Sequence, residues 1–518
     1  MTLTRRSLLQ NGAMLLSAPA LRAVAAALPY ARATDSPGTF QPTWDSLRDN
    51  YHSPPWLTQS RLGIFIHWGL FSVPAHGNEW YPKHMYTSVA DIQWHTEHYG
   101  APDKFGYKDF IPLFKAEKWQ PDQWAALFKQ AGAGFVIPVA EHSDGWLNWD
   151  SELTPYCAGK MGPKRDLIGD LGKAVRAQQL RFGVSDHSME HHTFMYPKTG
   201  LANDQFDPKY ARFYGPPQPG EMNDGLATPE FQAGWLARLK ELITKYSPDL
   251  IYLDNGVNDR AYDQVKLEMA AFYYNHATGE HKDVSLVTKD KAYLAGSIST
   301  FEKSVRAPKW IYPGPWLSDD TISTGSWGYT SDLHLRGTQD ILTELVELTS
   351  RGGGLLLNIS PKADGTIPDD QQSILREIGA WMKANDSAIN GTRPWIVYGE
   401  GPHVPAVAPA DWAGGSSADQ RNYLRGRGYA RPTESDFRFT TRGGKLFVFG
   451  FGGKLFNGQA KIQALRSGGS QVERVTHVAT GAAAKFKQAA DGLTVEIPGV
   501  NNGMPYVIAV EGVLPLGV

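Results

Sequence analysis

Cysteine is almost absent from this chain of 518 residues, in which Cys157 is the single example. An intramolecular disulfide is therefore excluded, as are zinc sites built from several cysteines and redox chemistry that uses paired thiols. Cys157 has one basic residue close by in the sequence, Lys160, whereas a cysteine nucleophile requires a more electropositive setting. We accordingly expect no thiol chemistry from this protein.

A large excess of one charge and long apolar runs are also missing. The chain carries 51 Lys and Arg against 53 Asp and Glu, which gives a net charge of −2. No overall field therefore attracts nucleic acid or an anionic membrane. Beyond the N-terminal segment, no stretch reaches the roughly 18 uncharged apolar residues that a membrane-spanning helix requires. We expect neither a nucleic-acid partner nor a membrane span in the mature protein.

Residues 1–33 have the pattern of an export signal rather than of folded structure. Arg5 and Arg6 are followed by Ser-Leu-Leu and then by the small-residue apolar run AMLLSAPALRAVAAAL. This is the twin-arginine pattern, and the run is interrupted by Arg22 and is too short to anchor the chain in a bilayer. We expect cleavage near residue 33 and a periplasmic or secreted mature protein. A disordered basic tail is the alternative.

From about residue 60, apolar runs alternate with amphipathic helical segments. The strand candidates are 62–68, 134–142, 181–187, 249–255, 284–289 and 354–360. Most of them are almost continuously apolar, which is typical of strands buried on both faces of a parallel sheet. Helical patterns at 121–133, 165–180, 228–247 and 369–386 lie between or after them. This alternation predicts that residues 34–395 form a (β/α)8-like barrel.

The pattern changes after residue 395. A stretch rich in Pro, Gly and Ser leads into short runs with alternating polarity, such as DFRFTTRGGKLFVFG, VERVTHVAT and LTVEIPG. Turn signals such as RGG, SGG and ADG separate these runs. We expect residues 396–518 to form a small antiparallel β-sandwich.

Polar residues follow or end several of the predicted barrel strands. They are His67, Glu141, His142, Asp144, Asp186, His187, Asp254 and Asn358. In βα barrels the reactive groups lie at the carboxyl ends of the strands. One polar residue in such a place is more often a cap or a loop residue. Five strands that end in this way predict a shared site.

Asp254 stands out because it ends the apolar run IYLDNG. It could cap the following turn, or it could act as a nucleophile or general base at the mouth of the barrel. A glycosidase would need a second carboxylate about 5–5.5 Å away if it retains configuration, and one further away if it inverts. Glu302 follows the strand-like segment LAGSISTF, whereas Glu280 lies in a polar turn. We favour Glu302, and Glu280 remains the alternative.

A metal site is a weaker interpretation of the same residues. His187 precedes His191 and His192, but no segment has the helical HExxH pattern of zinc hydrolases. A metal-dependent barrel hydrolase that uses His67, His142, His187 and Asp254 therefore stays an alternative.

Several long segments, spread in order over residues 44–395, resemble the α-L-fucosidases of glycoside hydrolase family 29. They are RLGIFIHWGLFSVPAHGNEWY, EHSDGWLNWDSELTPYCAGKMGPKRDLIGDL, PDLIYLDNG, PWLSDDTISTGSWGY and GGGLLLNISPKADGTIPDDQQ. The resemblance implies a retaining exo-glycosidase that removes terminal α-L-fucose from fucosylated oligosaccharides or glycoconjugates. It implies a covalent fucosyl-enzyme intermediate and no metal or organic cofactor.

The resemblance also implies roles for particular residues. Asp254 would be the nucleophile, and the placement of Glu302 before PWLSDD makes it the acid/base candidate, since the acid/base position is the least regular in this family. The groups that hold the sugar would include His67, Glu79, Trp80 and His142, with Trp316 or Trp327 offering an aromatic face.

One departure from the family pattern is informative. Relatives typically have Lys-His-His-Asp-Gly at the end of the second strand, where this chain has Glu141-His142-Ser143-Asp144-Gly145. A hydroxyl thus replaces the second imidazole. His187 could supply the missing donor, and His191 could line a subsite. The same change leaves open a protein that binds fucose without hydrolysing it.

Overall fold

The computed structural model describes residues 39–197, 199–215, 225–289, 292–404, 431–452, 458–497 and 503–513. These residues belong to one compact unit that begins at Thr39. The predicted export signal, residues 1–33, lies outside the described ranges, as does most of the Pro-, Gly- and Ser-rich stretch after residue 395.

Eight parallel strands close into a barrel in chain order, which confirms the predicted architecture. They are β1 (Leu62–Ile66), β2 (Phe135–Glu141), β3 (Arg181–Asp186), β4 (Leu250–Leu253), β5 (Ser285–Lys289), β6 (Ile298–Thr300), β7 (Trp316–Thr321) and β8 (Gly353–Ile359). The barrel closes because β1 pairs with both β2 and β8.

Helices surround the barrel, and short helices also lie within the loops that connect its strands. They are α1 (Trp44–Asn50), α2 (Trp56–Gln59), α3 (Tyr81–Thr87), α4 (Val89–Tyr99), α5 (Pro121–Gln130), α6 (Leu167–Ala177), α7 (His191–Phe194), α8 (Ala211–Tyr214), α9 (Pro229–Tyr246), α10 (Asp263–Gly279), α11 (Lys303–Arg306), α12 (Thr338–Ser350) and α13 (Asp369–Ile389). The start of α9 is set by the Thr228 hydroxyl, which accepts a hydrogen bond from the Phe231 amide. Among the described residues, no helix is long and apolar enough to span a membrane.

Side chains alternate between the inside and the outside of the barrel wall. Phe65, Tyr252, Leu317 and Leu356 belong to the cluster that fills the barrel. Their strand neighbours face the other way and pack against the surrounding helices, as Trp316 does beside Leu317. This alternation decides which strand-end residues reach the mouth of the barrel.

Two antiparallel sheets follow the barrel, as predicted. Their strands are β9 (Arg393–Glu400), β10 (Phe437–Arg442), β11 (Lys445–Gly450), β12 (Gln459–Ile462), β13 (Gln471–His477), β14 (Phe486–Ala489), β15 (Gly492–Glu496) and β16 (Tyr506–Val513). One sheet has the order β13-β16-β11-β10-β9 and the other β12-β15-β14. Phe439, Val448 and Leu493 share an apolar core of their own, whereas Phe447 and Phe449 pack into the outer core of the barrel.

Candidate active site

Three histidines and one aspartate meet at the carboxyl ends of the first four barrel strands. His67 follows β1, His142 follows β2, His187 follows β3 and Asp254 follows β4. The ring centroid of His187 lies 5.2 Å from that of His67 and 5.1 Å from that of His142. All three rings are buried. The structure thus brings together four residues that are far apart in the sequence.

The carboxylate of Asp254 is held between two side chains. Its Oδ2 lies 2.7 Å from Nδ1 of His187, and its Oδ1 lies 2.5 Å from Nζ of Lys289. Burial opposes ionisation, but Lys289 and His187 outweigh it and hold the pKa of Asp254 well below its usual range. Asp254 is therefore ionised at neutral pH.

Lys289 was not identified from the sequence. It is the last residue of β5, and its ammonium is shared by carboxylates from three other places in the barrel. Besides Asp254, Nζ lies 3.4 Å from Glu302 Oε2 and 3.8 Å from Asp319 Oδ2. Burial favours the neutral amine, yet these carboxylates, Asp254 foremost, raise the pKa of Lys289 well above its usual value. The one signal in the sequence was a lysine at the end of an apolar strand.

The two glutamates considered for the acid/base lie in different places. Glu302 follows β6, and Lys289 connects it to Asp254. Glu280 follows α10, before β5 begins, where its carboxylate pairs with Lys282 at 2.9 Å and accepts a hydrogen bond from Ser247. The structure brings Glu302 to the site and leaves Glu280 outside it.

Asn358 of β8 fixes the orientation of His67. The Asn358 side-chain oxygen lies 2.7 Å from His67 Nδ1, and its amide nitrogen donates to the Trp327 carbonyl at 2.8 Å. Nδ1 of His67 therefore carries the proton, and in the neutral ring Nε2 is left as an acceptor.

His142 has a polar atom that the fold leaves unsatisfied. Its Nδ1 is buried and finds no hydrogen-bond partner within the described part of the chain. Burial, together with the neighbouring His187, holds the pKa values of His67 and His142 well below the usual range. Both rings are thus neutral at neutral pH and suited to bind hydroxyl groups, which donate and accept hydrogen bonds.

Glu79 and Trp327 line the side of the site next to His67. The Glu79 carboxylate accepts hydrogen bonds from the Trp327 amide at 2.9 Å and the Ser326 hydroxyl at 3.1 Å. Burial raises the pKa of Glu79. The Trp327 ring centroid lies 5.2 Å from that of His67. Trp80, next in sequence to Glu79, packs edge-on against Phe194 at 5.2 Å.

Trp316 does not reach the site. It is the first residue of β7, only 1% of its surface is exposed, and its ring packs against Phe301 at 5.6 Å in the layer outside the barrel. Leu317, the next residue, points into the barrel instead. The expectation that Trp316 faces the sugar is therefore corrected, and Trp327 is the tryptophan beside the histidines.

The segment Glu141 to Asp144 divides between the two sides of the barrel wall. Glu141 points outward and pairs with Arg238 of α9 at 2.7 Å. Asp144 accepts hydrogen bonds from the Tyr107 hydroxyl and the Trp146 amide, so it shapes the turn. Only His142 of this group joins the histidine cluster.

Ser143 and the histidines near it hold the loops together. The Ser143 hydroxyl donates to the His187 carbonyl at 3.1 Å and approaches Glu190 at 3.4 Å. His191 Nδ1 lies 2.9 Å from the Ser143 carbonyl, so its ring braces this turn. His187 also has Ser185 within 2.8 Å of Nε2. Both ring nitrogens of His187 are thus engaged, and it offers no spare donor to replace the missing imidazole.

The three histidines are spaced as in a metal site, but the ring nitrogens of His187 are not free to bind a metal ion. One nitrogen each of His67, His142 and His187 lies within 4.8 Å of the other two. A metal ion needs an unprotonated nitrogen from each ring. Both nitrogens of His187 already have partners, and the ammonium of Lys289 adds positive charge nearby. The donor set fits a polar organic ligand better than a cation.

Comparison with known proteins places this chain in a family. The family model for alpha-L-fucosidase matches residues 27–387. The tissue alpha-L-fucosidase of Rattus norvegicus is 32% identical over 377 residues, which cover 70% of this chain and 75% of the relative. The human tissue enzyme is 30% identical over 380 residues, with 71% and 76% covered. Thermotoga maritima alpha-fucosidase, solved in complex with fucose, superimposes with a TM-score of 0.68 at 28% identity and covers 91% of this chain and 100% of its own.

A closed barrel with carboxylates at its mouth, together with these relatives, identifies the protein as a glycoside hydrolase. The chain belongs to the alpha-L-fucosidase family.

Proposed function

We propose that the protein is a retaining exo-α-L-fucosidase that removes terminal α-L-fucose from fucosylated glycans. Family membership supports hydrolysis at fucose, and the Thermotoga maritima relative was solved with fucose bound. Asp254 is the proposed nucleophile and Glu302 the proposed acid/base.

The observation that carries the retaining mechanism is the position of Lys289 between the two carboxylates. Its Nζ lies 2.5 Å from Asp254 Oδ1 and 3.4 Å from Glu302 Oε2. Those two distances limit the separation of Asp254 Oδ1 and Glu302 Oε2 to about 6 Å, which is compatible with the carboxyl separation of about 5–5.5 Å in retaining enzymes. The spacing favours direct attack by Asp254.

In the first step, a carboxylate oxygen of Asp254 attacks the anomeric carbon of fucose. The bond from that carbon to the leaving oxygen breaks, and protonated Glu302 gives its proton to the leaving oxygen. The product is a fucosyl ester of Asp254, and Glu302 is left ionised.

In the second step, Glu302 accepts a proton from a water molecule as the water oxygen attacks the anomeric carbon. The ester bond breaks, and the ionised carboxylate of Asp254 is restored. Two inversions at the same carbon give α-L-fucose as the first product.

The surrounding residues prepare this chemistry. Lys289 and His187 keep Asp254 ionised and fix both of its oxygens. His67 presents Nε2 as an acceptor, and the unpartnered Nδ1 of His142 offers a second contact for a sugar hydroxyl. Glu79, held by the Trp327 amide, adds a carboxylate on the same side.

The proposal is tested by following hydrolysis of an aryl α-L-fucoside by proton NMR. Early accumulation of α-L-fucose is the expected result. Early accumulation of β-L-fucose would show inversion and contradict the mechanism. Binding of fucose without any turnover would instead indicate a sugar-binding protein.

We also propose that residues 1–33 direct export through the twin-arginine route, because Arg5 and Arg6 precede a short apolar run. A reporter fused to residues 1–33 should be exported, and the double change Arg5→Lys and Arg6→Lys should retain it in the cytoplasm. Equal export of both fusions would refute this assignment.

A further inference from the structure

A third carboxylate, Asp319, lies near the proposed catalytic pair, inside the barrel. Asp319 of β7 is fully buried, and the Thr300 hydroxyl donates a hydrogen bond to its Oδ1 at 2.5 Å. Its Oδ2 lies 3.8 Å from Nζ of Lys289. A buried carboxylate is costly unless a cation or hydrogen bonds compensate it, and Lys289 is the cation that faces it.

We infer that Asp319 is a positioning residue for the proposed reaction, because it holds Lys289 below Asp254 and Glu302 and takes up part of its positive charge. This inference rests on the proposed roles of Asp254 and Glu302.

The groups that face Lys289 come from several strands. They are the Tyr252 phenol on β4, Asp254 after β4, Glu302 after β6, Asp319 on β7 and the Trp327 ring. Three carboxylates thus share one ammonium group, and Glu302 also pairs with Arg306 at 3.5 Å. Because the charge is shared, removal of one carboxylate leaves more of it for the other two.

The consequence is a specific effect on pH dependence. Without the negative charge of Asp319, Lys289 favours the ionised forms of Asp254 and Glu302 more strongly. The alkaline limb of kcat/KM should therefore move to lower pH. Burial of Asp319 works against this, because it raises the pKa of that carboxyl. A carboxyl that stayed neutral at working pH would have no such effect.

The test is the pH profile of Asp319→Asn, measured on an aryl fucoside whose leaving group needs protonation. We expect the alkaline limb of kcat/KM to move to lower pH by about one unit. On a 2,4-dinitrophenyl fucoside, whose leaving group departs without protonation, the limb should move much less. A merely structural role would lower activity equally at every pH and for both substrates.

The matched control is Asp320→Asn, the same change one residue along β7. Asp320 faces outward and pairs with Arg336 at 3.3 Å, so the alkaline limb should stay in place. An unmoved limb in Asp319→Asn, or an equal movement in Asp320→Asn, would overturn the inference.

A milder variant covers the case in which Asp319→Asn does not fold. Thr300→Val removes the hydroxyl that donates a hydrogen bond to Asp319. The alkaline limb of kcat/KM should again move to lower pH, by less than in Asp319→Asn. No movement there would also overturn the inference. Glu302→Gln separates this result from the proposed function. If the pH profile of Glu302→Gln still has an alkaline limb, Glu302 is not the general acid. That conclusion does not depend on the result for Asp319→Asn.

Discussion

Nδ1 of His187 lies 2.7 Å from Oδ2 of Asp254, while Nε2 of the same ring lies 2.8 Å from the Ser185 hydroxyl. The imidazole is therefore anchored at both ends. It contacts the proposed nucleophile, and neither ring nitrogen is left for a sugar hydroxyl. This arrangement gives His187 a role different from that of its neighbours His67 and His142.

Replacement of His187 by Phe should keep the ring volume and remove the hydrogen bond to Asp254. Because His187 and Lys289 together hold the pKa of Asp254 down, its loss should raise that pKa. The acid limb of kcat/KM should then move to higher pH, and kcat/KM should fall about 10–100-fold. Ser185→Ala, which leaves the contact with Asp254 intact, should have a smaller effect. An unchanged acid limb in His187→Phe would contradict the account.

Lys289→Met should remove the cation that Asp254, Glu302 and Asp319 share. Loss of one partner of a buried pair destabilises a protein by about 3–5 kcal/mol. The destabilisation should be largest at neutral pH and shrink as pH falls, because protonation relieves the unpaired carboxylates. Thermal unfolding at several pH values checks this. Lys289→Arg, which keeps the positive charge, is the control. A loss of stability in Lys289→Met that does not vary with pH would contradict the view that Lys289 compensates the three carboxylates.

Glu302→Ala should lower kcat by about 10²–10⁴-fold on substrates with poor leaving groups. On a 2,4-dinitrophenyl fucoside, whose leaving group departs without protonation, azide should restore turnover, because it can attack the fucosyl-enzyme without a general base. Glu280→Ala is the control, since Glu280 pairs with Lys282 away from the site. Azide rescue in Glu280→Ala and not in Glu302→Ala would reverse the assignment.

Two tryptophans should respond differently to truncation. Trp327→Ala should raise KM, because this ring lies beside His67 and is held over the site. Trp316→Ala should instead cost about 3–5 kcal/mol of stability and leave KM of the folded fraction unchanged, because its ring is buried outside the barrel. Kinetics and chemical unfolding of both variants provide the measurement. A raised KM in Trp316→Ala alone would contradict the placement of both rings.

Metal removal should leave hydrolysis intact. His187 has no free nitrogen for a metal, since Asp254 and Ser185 occupy both. Activity on an aryl fucoside should therefore survive dialysis against EDTA. Loss of activity that Zn²⁺ restores would instead favour a metal-dependent hydrolase.

Much of the barrel could be predicted because its strands are apolar throughout, as parallel strands covered on both faces must be. Strand β7 was not predicted, because Ser318, Asp319 and Asp320 interrupt its apolar pattern. The structure explains those carboxylates. Asp319 faces Lys289 inside the barrel, and Asp320 faces Arg336 outside it. Partners so distant in sequence leave no local pattern.

The site itself could be predicted only in part, because a strand end does not reveal which way each side chain points. His142 and His187 face inward, whereas Glu141 and Asp186 turn outward to Arg238 and Trp235. A polar residue on either face looks the same in sequence. The proposed nucleophile, Asp254, could be predicted from the sequence because its motif is long. Lys289 could not, because its role depends on the carboxylates that surround it in the structure.

The most direct test of the central claim is to trap the intermediate with a 2-deoxy-2-fluoro fucosyl fluoride and map the modified peptide by mass spectrometry. One 2-deoxy-2-fluorofucosyl group should be attached to Asp254, and an Asp254→Asn variant should not be labelled. Labelling of a different residue, or of the variant as strongly as the native protein, would contradict Asp254 as the nucleophile of a retaining fucosidase.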